Sequence, residues 1–235
     1  NLDDSAARRT NPLLHPYCPE AITGKGLRYF QEAAVHQVIQ RIMRGQKRIL
    51  LTMATGTGKT FTAMQLAWKL IKSGWFDRQH PERPGRILFI ADRVVLRDQS
   101  YNAFSAFARD GSDPRFLIDG QPLLLTRDLY FGIYQAMWGE NENGQRLFEQ
   151  FPTDFFDLVI IDEAHRSGFG TWQEILKRFG NAIHLGMTAT PKRTDNVDTY
   201  EYFCKDEPEI PLDPDDPAKG TRQQAAYEYS LGQGI

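Results

Sequence analysis

Two short stretches of this chain hold the residue types that phosphate chemistry needs. The first is Met53-Ala54-Thr55-Gly56-Thr57-Gly58-Lys59-Thr60. Glycines let such a loop curl with its N–H groups turned inward, and a helix starting at its end adds partial positive charge. Thr55, Gly56, Thr57 and Gly58 would cradle a polyphosphate, Lys59 would reach its β- and γ-phosphates, and Thr60 would offer its hydroxyl to Mg²⁺. The strict P-loop pattern opens on a glycine where this chain has Met53. The plainer alternative is a glycine-rich turn that binds nothing.

The second stretch is Leu158-Val159-Ile160-Ile161-Asp162-Glu163-Ala164-His165. Two carboxylates end an apolar run that reads as a buried strand. In an open parallel sheet, that strand end is where ligands bind. Asp162 can hold Mg²⁺, through a water, and Glu163 can orient and deprotonate an attacking water. Taken alone, the pair could be a solvated acidic turn. About a hundred residues after a P-loop, it reads as the water-activating half of one site.

The elements that must position these groups alternate between two periods. Strands are expected at 48–53, 86–91, 122–126, 157–161, 182–187 and 226–231, and helices at 32–44, 59–73, 94–108 and 171–179. Strands alternating with helices imply right-handed βαβ units and a parallel sheet covered on both faces, an α/β fold. Tyr101, Phe104 and Phe107 recur at helical spacing and read as core rather than as a base-stacking platform. The stretch from 204 breaks the pattern with Pro208, Pro211, Pro214 and Pro217 among acidic residues, and reads as a loop.

Together the two stretches resemble the motor domains of DEAH-box superfamily 2 helicases and translocases, over about residues 25–192. Further segments match in order. Leu27-Arg28-Tyr29-Phe30-Gln31 looks like the adenine-reading segment, with Gln31 on the base and Arg28 and an aromatic neighbour, Phe30, framing it. Ala91-Asp92-Arg93 and Ile133-Tyr134-Gln135 look like DNA-contacting motifs, which places Arg93 and Gln135 on DNA. Thr188-Ala189-Thr190-Pro191 looks like the motif that couples hydrolysis to movement, with Thr188, Thr190 and His165 as the coupling residues. A narrower resemblance is to the motor subunit of type I restriction enzymes, carried by 27–34, 53–60, 91–93 and Tyr227-Glu228-Tyr229-Ser230-Leu231.

The resemblance implies a RecA-like P-loop NTPase domain, ATP and Mg²⁺ as cofactors, duplex DNA as track, specificity and methyltransferase subunits as partners, and a prokaryotic cytoplasm. It implies an irregular lead-in at 1–22, a first motor domain at 23–203, a Pro/Asp-rich loop at 204–226, and at 227–235 the start of a segment leading to a second RecA-like domain. Lacking an initiator Met, the chain reads as a fragment.

Composition neither helps nor opposes this. A net charge of −2 on 235 residues lends no support to a nucleic-acid module, since such modules are often strongly basic, yet a motor needs only a local basic track. No apolar run reaches the roughly 18 residues of a membrane span, and no secretory signal is visible, so no membrane partner is expected. Cys18 and Cys204 form no disulfide or metal pattern and read as unpaired thiols. Two other functions stay open: a superfamily 2 helicase of DNA repair or RNA metabolism, and a P-loop kinase or nucleotide-binding module without motor activity. Gln31 and Thr188-Ala189-Thr190 are features a kinase does not need.

Overall fold

The computed structural model describes residues 11–19, 26–78, 80–108, 111–164, 169–191, 193–194, 197–205, 207–211, 213, 215–216, 219 and 221–230. Its centre is a sheet of β1 (Arg48–Met53), β2 (Ile87–Ala91), β3 (Arg115–Leu117), β4 (Leu129–Ile133), β5 (Leu158–Asp162), β6 (Ile183–Thr188) and β11 (Tyr227–Tyr229). Two small antiparallel pairs intervene: β7 (Arg193–Thr194) with β8 (Val197–Asp198), and β9 (Ile210–Pro211) with β10 (Thr221–Arg222). The large sheet runs in the order β11-β1-β6-β5-β2-β4-β3, with every pairing parallel.

Parallel strands must be covered on both faces, which is why their sequences are apolar without alternation. Ile49, Leu51, Phe89, Ile160 and Leu185 point to one face and pack with Ala34, Val38, Ala63 and Leu66. These come from α1 (Tyr29–Met43) and α2 (Lys59–Lys72). The same face carries α3 (Val94–Ala103), followed by a 3₁₀ turn over Phe104–Phe107 whose Phe104 and Phe107 are core, as read from their spacing. Leu50, Leu88, Ile90, Val159 and Ile161 point the other way, toward Met137, Ile175, Phe179 and Phe203. Those side chains belong to α4 (Tyr134–Trp138), α5 (Phe169–Arg178), α6 (Thr199–Phe203) and the turn after α5. Each buried Leu or Phe contributes about 1.5–3 kcal/mol, so the two faces hold the sheet and leave the strand ends free for chemistry. Gly186 allows the closest approach: a Cβ there would meet the Phe203 ring at 2.8 Å, so α6 lies directly on β6.

Some expectations need correction. Residues 122–126 form no strand. Pro122 donates no hydrogen bond to a ladder, and Leu124 and Leu125 are exposed; the strands here are β3 and β4 on either side. The stretch after 204 is not all loop, because β9 pairs with β10. Its Glu207 is tied to Arg41 and Gln46 below β1. The sheet also reaches beyond residue 203, since β11 pairs with β1. In the lead-in, residues 11–19 are irregular yet docked: Cys18 N–H donates to Gln65 Oε1 at 2.8 Å, and Lys69 reaches the carbonyls of Leu13 and His15. Both cysteines are buried. Among the described residues, no helix is long and apolar enough to cross a membrane.

Candidate active site

Because the seven strands are parallel, their C-terminal ends share one edge, and β6 lies between β1 and β5. The loop after β1, the carboxylates ending β5 and Thr188 ending β6 therefore converge on adjacent strand ends. The register makes this concrete: Thr52 pairs with Thr188, and Asp162 pairs with Met187.

The loop is a helix-capping turn. Gly58 is the N-cap of α2 with φ +85°, a left-handed conformation that favours glycine. Thr57 is buried, and its hydroxyl donates to Ala54 O at 2.6 Å, holding the turn closed. Thr55 and Gly56 are exposed at the tip. Thr60 sits in the first turn of α2. Lys59 Nζ lies 3.5 Å from Glu163 Oε1 and 3.5 Å from Met53 O, spanning the gap between the loop and β5.

Glu163 has φ 52°, the one non-glycine residue in the left-handed region among those described. Such a conformation costs about 1–3 kcal/mol and persists only where the surroundings enforce it. Here the next amide, Ala164 N–H, donates to Met187 O at 3.0 Å, fastening the turn to β6. The left-handed step turns the Glu163 carboxylate toward Lys59. Asp162 is buried, and its Oδ1 has no hydrogen-bond partner. Burial, then the neighbouring Glu163 carboxylate, pushes the Asp162 carboxyl up to about 6, while Lys59 pulls it down and Asp92 adds to the rise. A buried acceptor without a partner, in a field of carboxylates, fits a cation. No cluster of three or more acidic, His or Cys side chains that could hold a metal is found among the described residues.

Beside the loop is a cavity of about 270 Å³ lined by Arg28, Gln31, Thr57, Gly58 and Phe61, among others. Gln31 is buried there. Its Nε2 donates to Thr57 O at 2.8 Å and its Oε1 accepts from Arg28 N–H at 3.0 Å. One amide hydrogen and one carbonyl lone pair remain for a ligand. Phe30 does not line the cavity; it is core, stacked on Tyr229 with centroids 4.2 Å apart. The aromatic wall is Phe61 of α2. Its position two residues after Lys59 was visible in the sequence, but nothing local marked it as facing out rather than in.

Thr188 is fully buried, and its Oγ1 accepts from Thr190 N–H at 3.1 Å; Thr190 is exposed. His165 lies outside the described residues. Arg93 and Gln135 follow β2 and β4, which neighbour each other, and each stands two residues past the registered pair Ala91–Ile133. Both side chains are exposed, and Arg93 pairs with Asp92 at 3.4 Å. They occupy the same edge as the glycine-rich loop, Arg93 one strand and Gln135 two strands beyond β5.

A family model described as type III restriction enzyme, res subunit, matches residues 24–193. A type I restriction enzyme EcoAI endonuclease subunit from Escherichia coli is 39% identical over 217 residues, covering 91% of this chain and 23% of that protein. A solved fragment described as an HsdR subunit of a type I restriction enzyme from Vibrio vulnificus YJ016 matches with a TM-score of 0.62 and 40% identity, over 86% of this chain and 33% of that one. The UvsW helicase from bacteriophage T4, at 17% identity and a TM-score of 0.57, over 81% of this chain and 62% of that one, shares the fold. The chain thus spans less than a quarter of the length of the Escherichia coli relative.

Proposed function

The chain belongs to the type III restriction enzyme res subunit family, and from that premise we propose that it is the first RecA-like motor domain of a type I restriction endonuclease subunit, hydrolysing ATP to move along duplex DNA. The observation that carries this reading is the meeting of Lys59 and Glu163 across 3.5 Å, beside a buried Asp162 oxygen with no partner. A glycine-rich turn without a ligand has no need of a cation facing two carboxylates at a sheet edge.

In this reading the loop amides of 55–58 hold the phosphates and Lys59 offsets their charge. Gln31 and Arg28 face the base, with Phe61 as the aromatic wall. Mg²⁺, held by Thr60 and Asp162, would supply charge neutralisation at the β- and γ-phosphates when bound. Glu163 orients the attacking water and takes its proton at the carboxylate. When ATP arrives, its phosphates compete with Glu163 for Lys59, which frees the Glu163 carboxylate for the water. The turn at 163–164 is fastened to Met187, so a shift there passes to Thr188 and Thr190. Arg93 and Gln135, on the same edge, bear on the DNA backbone.

We further assign residues 23–203 with β11 to this motor domain and 204–226 to a connecting segment. The partners are specificity and methyltransferase subunits and a second RecA-like domain of the full-length protein. That domain brings arginine fingers, which contribute roughly 10³–10⁵ in rate. The test therefore uses the full-length protein with its partner subunits. ATP turnover should rise strongly on adding duplex DNA, and Glu163→Gln should remove it while ATP still binds. Turnover indifferent to DNA would overturn the motor reading; turnover surviving Glu163→Gln would overturn the assignment of the base.

A further inference from the structure

The base-side cavity is framed by a closed circuit of contacts, and one member of it is a residue with no role so far. On one side Gln31 bridges Arg28 N–H and Thr57 O. Thr57 in turn is bonded to Ala54 O through its hydroxyl. On the other side the Arg28 guanidinium stands 5.9 Å from the centroid of Phe30, and Phe30 lies flat on Tyr229, 4.2 Å away with planes 13° apart. Tyr29 meets Tyr229 edge-on. The Tyr229 carbonyl then accepts from Ala54 N–H at 3.1 Å, the first amide of the loop after β1. Tyr229 thus joins the start of α1 to the start of the phosphate loop, with its ring on one and its backbone on the other.

We propose that Tyr229 is a positioning residue of the nucleotide site: it sets the distance between the base-facing side chains of α1 and the phosphate-holding loop. The inference rests on the nucleotide reading above. Gln31 and Glu32 hold the backbone of Arg28, whereas its guanidinium stands against Phe30, and the face of Phe30 lies on Tyr229. Removing the Tyr229 ring leaves the loop bonded through the backbone carbonyl but lets the base-facing side drift. The part of binding that depends on the base should fall, and the part that depends on phosphates should not.

That split is measurable in the full-length protein by displacement of a fluorescent ATP analogue, with ATP and inorganic tripolyphosphate as competitors. Tyr229→Ala should weaken ATP about tenfold, the upper range for losing one aromatic stack, and leave tripolyphosphate unchanged. Tyr229→Leu, which keeps the apolar bulk but not the flat stack, should weaken ATP in the same way. Tyr229→Phe keeps both ring and carbonyl and should restore ATP affinity. Equal weakening of both competitors would overturn the proposal, since Tyr229 would then merely support the loop. Unchanged ATP affinity in Tyr229→Ala would overturn it too. Lys59→Ala is the control: it should weaken both competitors. Failure to weaken either would sink the phosphate-site reading itself, independently of what the Tyr229 variants show.

Discussion

At the residue scale, much of the proposed phosphate side of the site can be read from local pattern. Gly58-Lys59-Thr60 after an apolar strand, and Asp162-Glu163 at the end of another, announce themselves because the chemistry needs neighbours in sequence. The base side does not. Gln31 and Arg28 are placed by the resemblance, but Phe30 turns inward and Phe61 outward, a choice made by helix packing. Tyr229 is 199 residues from Phe30 in the chain, and no local signal could pair them. Gly58 shows how tightly the two sides are fitted: a Cβ there would stand 2.6 Å from Gln31 Nε2, on a backbone with φ +85°. Gly58→Ala should therefore cost about 1–2 kcal/mol for the left-handed conformation and push Gln31 off Thr57. A lower thermal midpoint together with weaker ATP binding is expected; an unchanged affinity would mean that the Gln31 bridge is dispensable.

At the element scale, the strands with continuous apolar runs are legible and the short edge strands are not. β1 runs over the residues read for it, and β2, β5 and β6 are found within one residue, because burial on both faces demands Ile, Leu, Val and Phe. β3 is three residues at the sheet edge, too brief for any periodicity. The nearby Leu123-Leu124-Leu125 looked more strand-like than it is, and its apolar content is partly spent on solvent. The contact of β6 with α6 brings a testable pH dependence. His184 of β6 is fully buried, with Nδ1 at 2.7 Å from the Tyr202 hydroxyl and Nε2 at 2.9 Å from Phe179 O. Burial, then the nearby Arg48 cation, hold its pKa down to about 3. The unfolded chain takes up that proton near pH 6.5, so between pH 6.5 and 3 the unfolded state binds more protons and stability falls as pH falls. At pH 5 the loss relative to pH 7.5 should be about 2 kcal/mol from this group. Denaturant midpoints at the two pH values check it: His184→Gln should flatten the difference, and an unchanged difference would assign the effect elsewhere.

At the scale of the whole molecule, one sheet edge gathers the phosphate loop, the carboxylate pair, the Thr188 turn and the exposed pair Arg93 and Gln135. Net charge −2 is compatible with a DNA track only if the basic contacts are few and local. Each phosphate contact steepens the salt dependence of binding by about one unit of slope. Arg93→Ala in the full-length protein should weaken DNA binding similarly for all sequences and reduce that slope by about one. A slope equal to wild type would remove Arg93 from the track. The same strand order has a consequence in time. β1 precedes the other strands of the large sheet in the chain, yet its two neighbours, β6 and β11, are the last of them. At synthesis rates of ~5–20 residues/s, Ile49-Leu50-Leu51 leaves the ribosome on the order of ten seconds before β6 is complete. For that interval the strand that will carry the phosphate loop has two open edges and no partner. An unpaired strand edge is a template for aggregation, so a chaperone that shields β1 during synthesis should raise the yield of this domain.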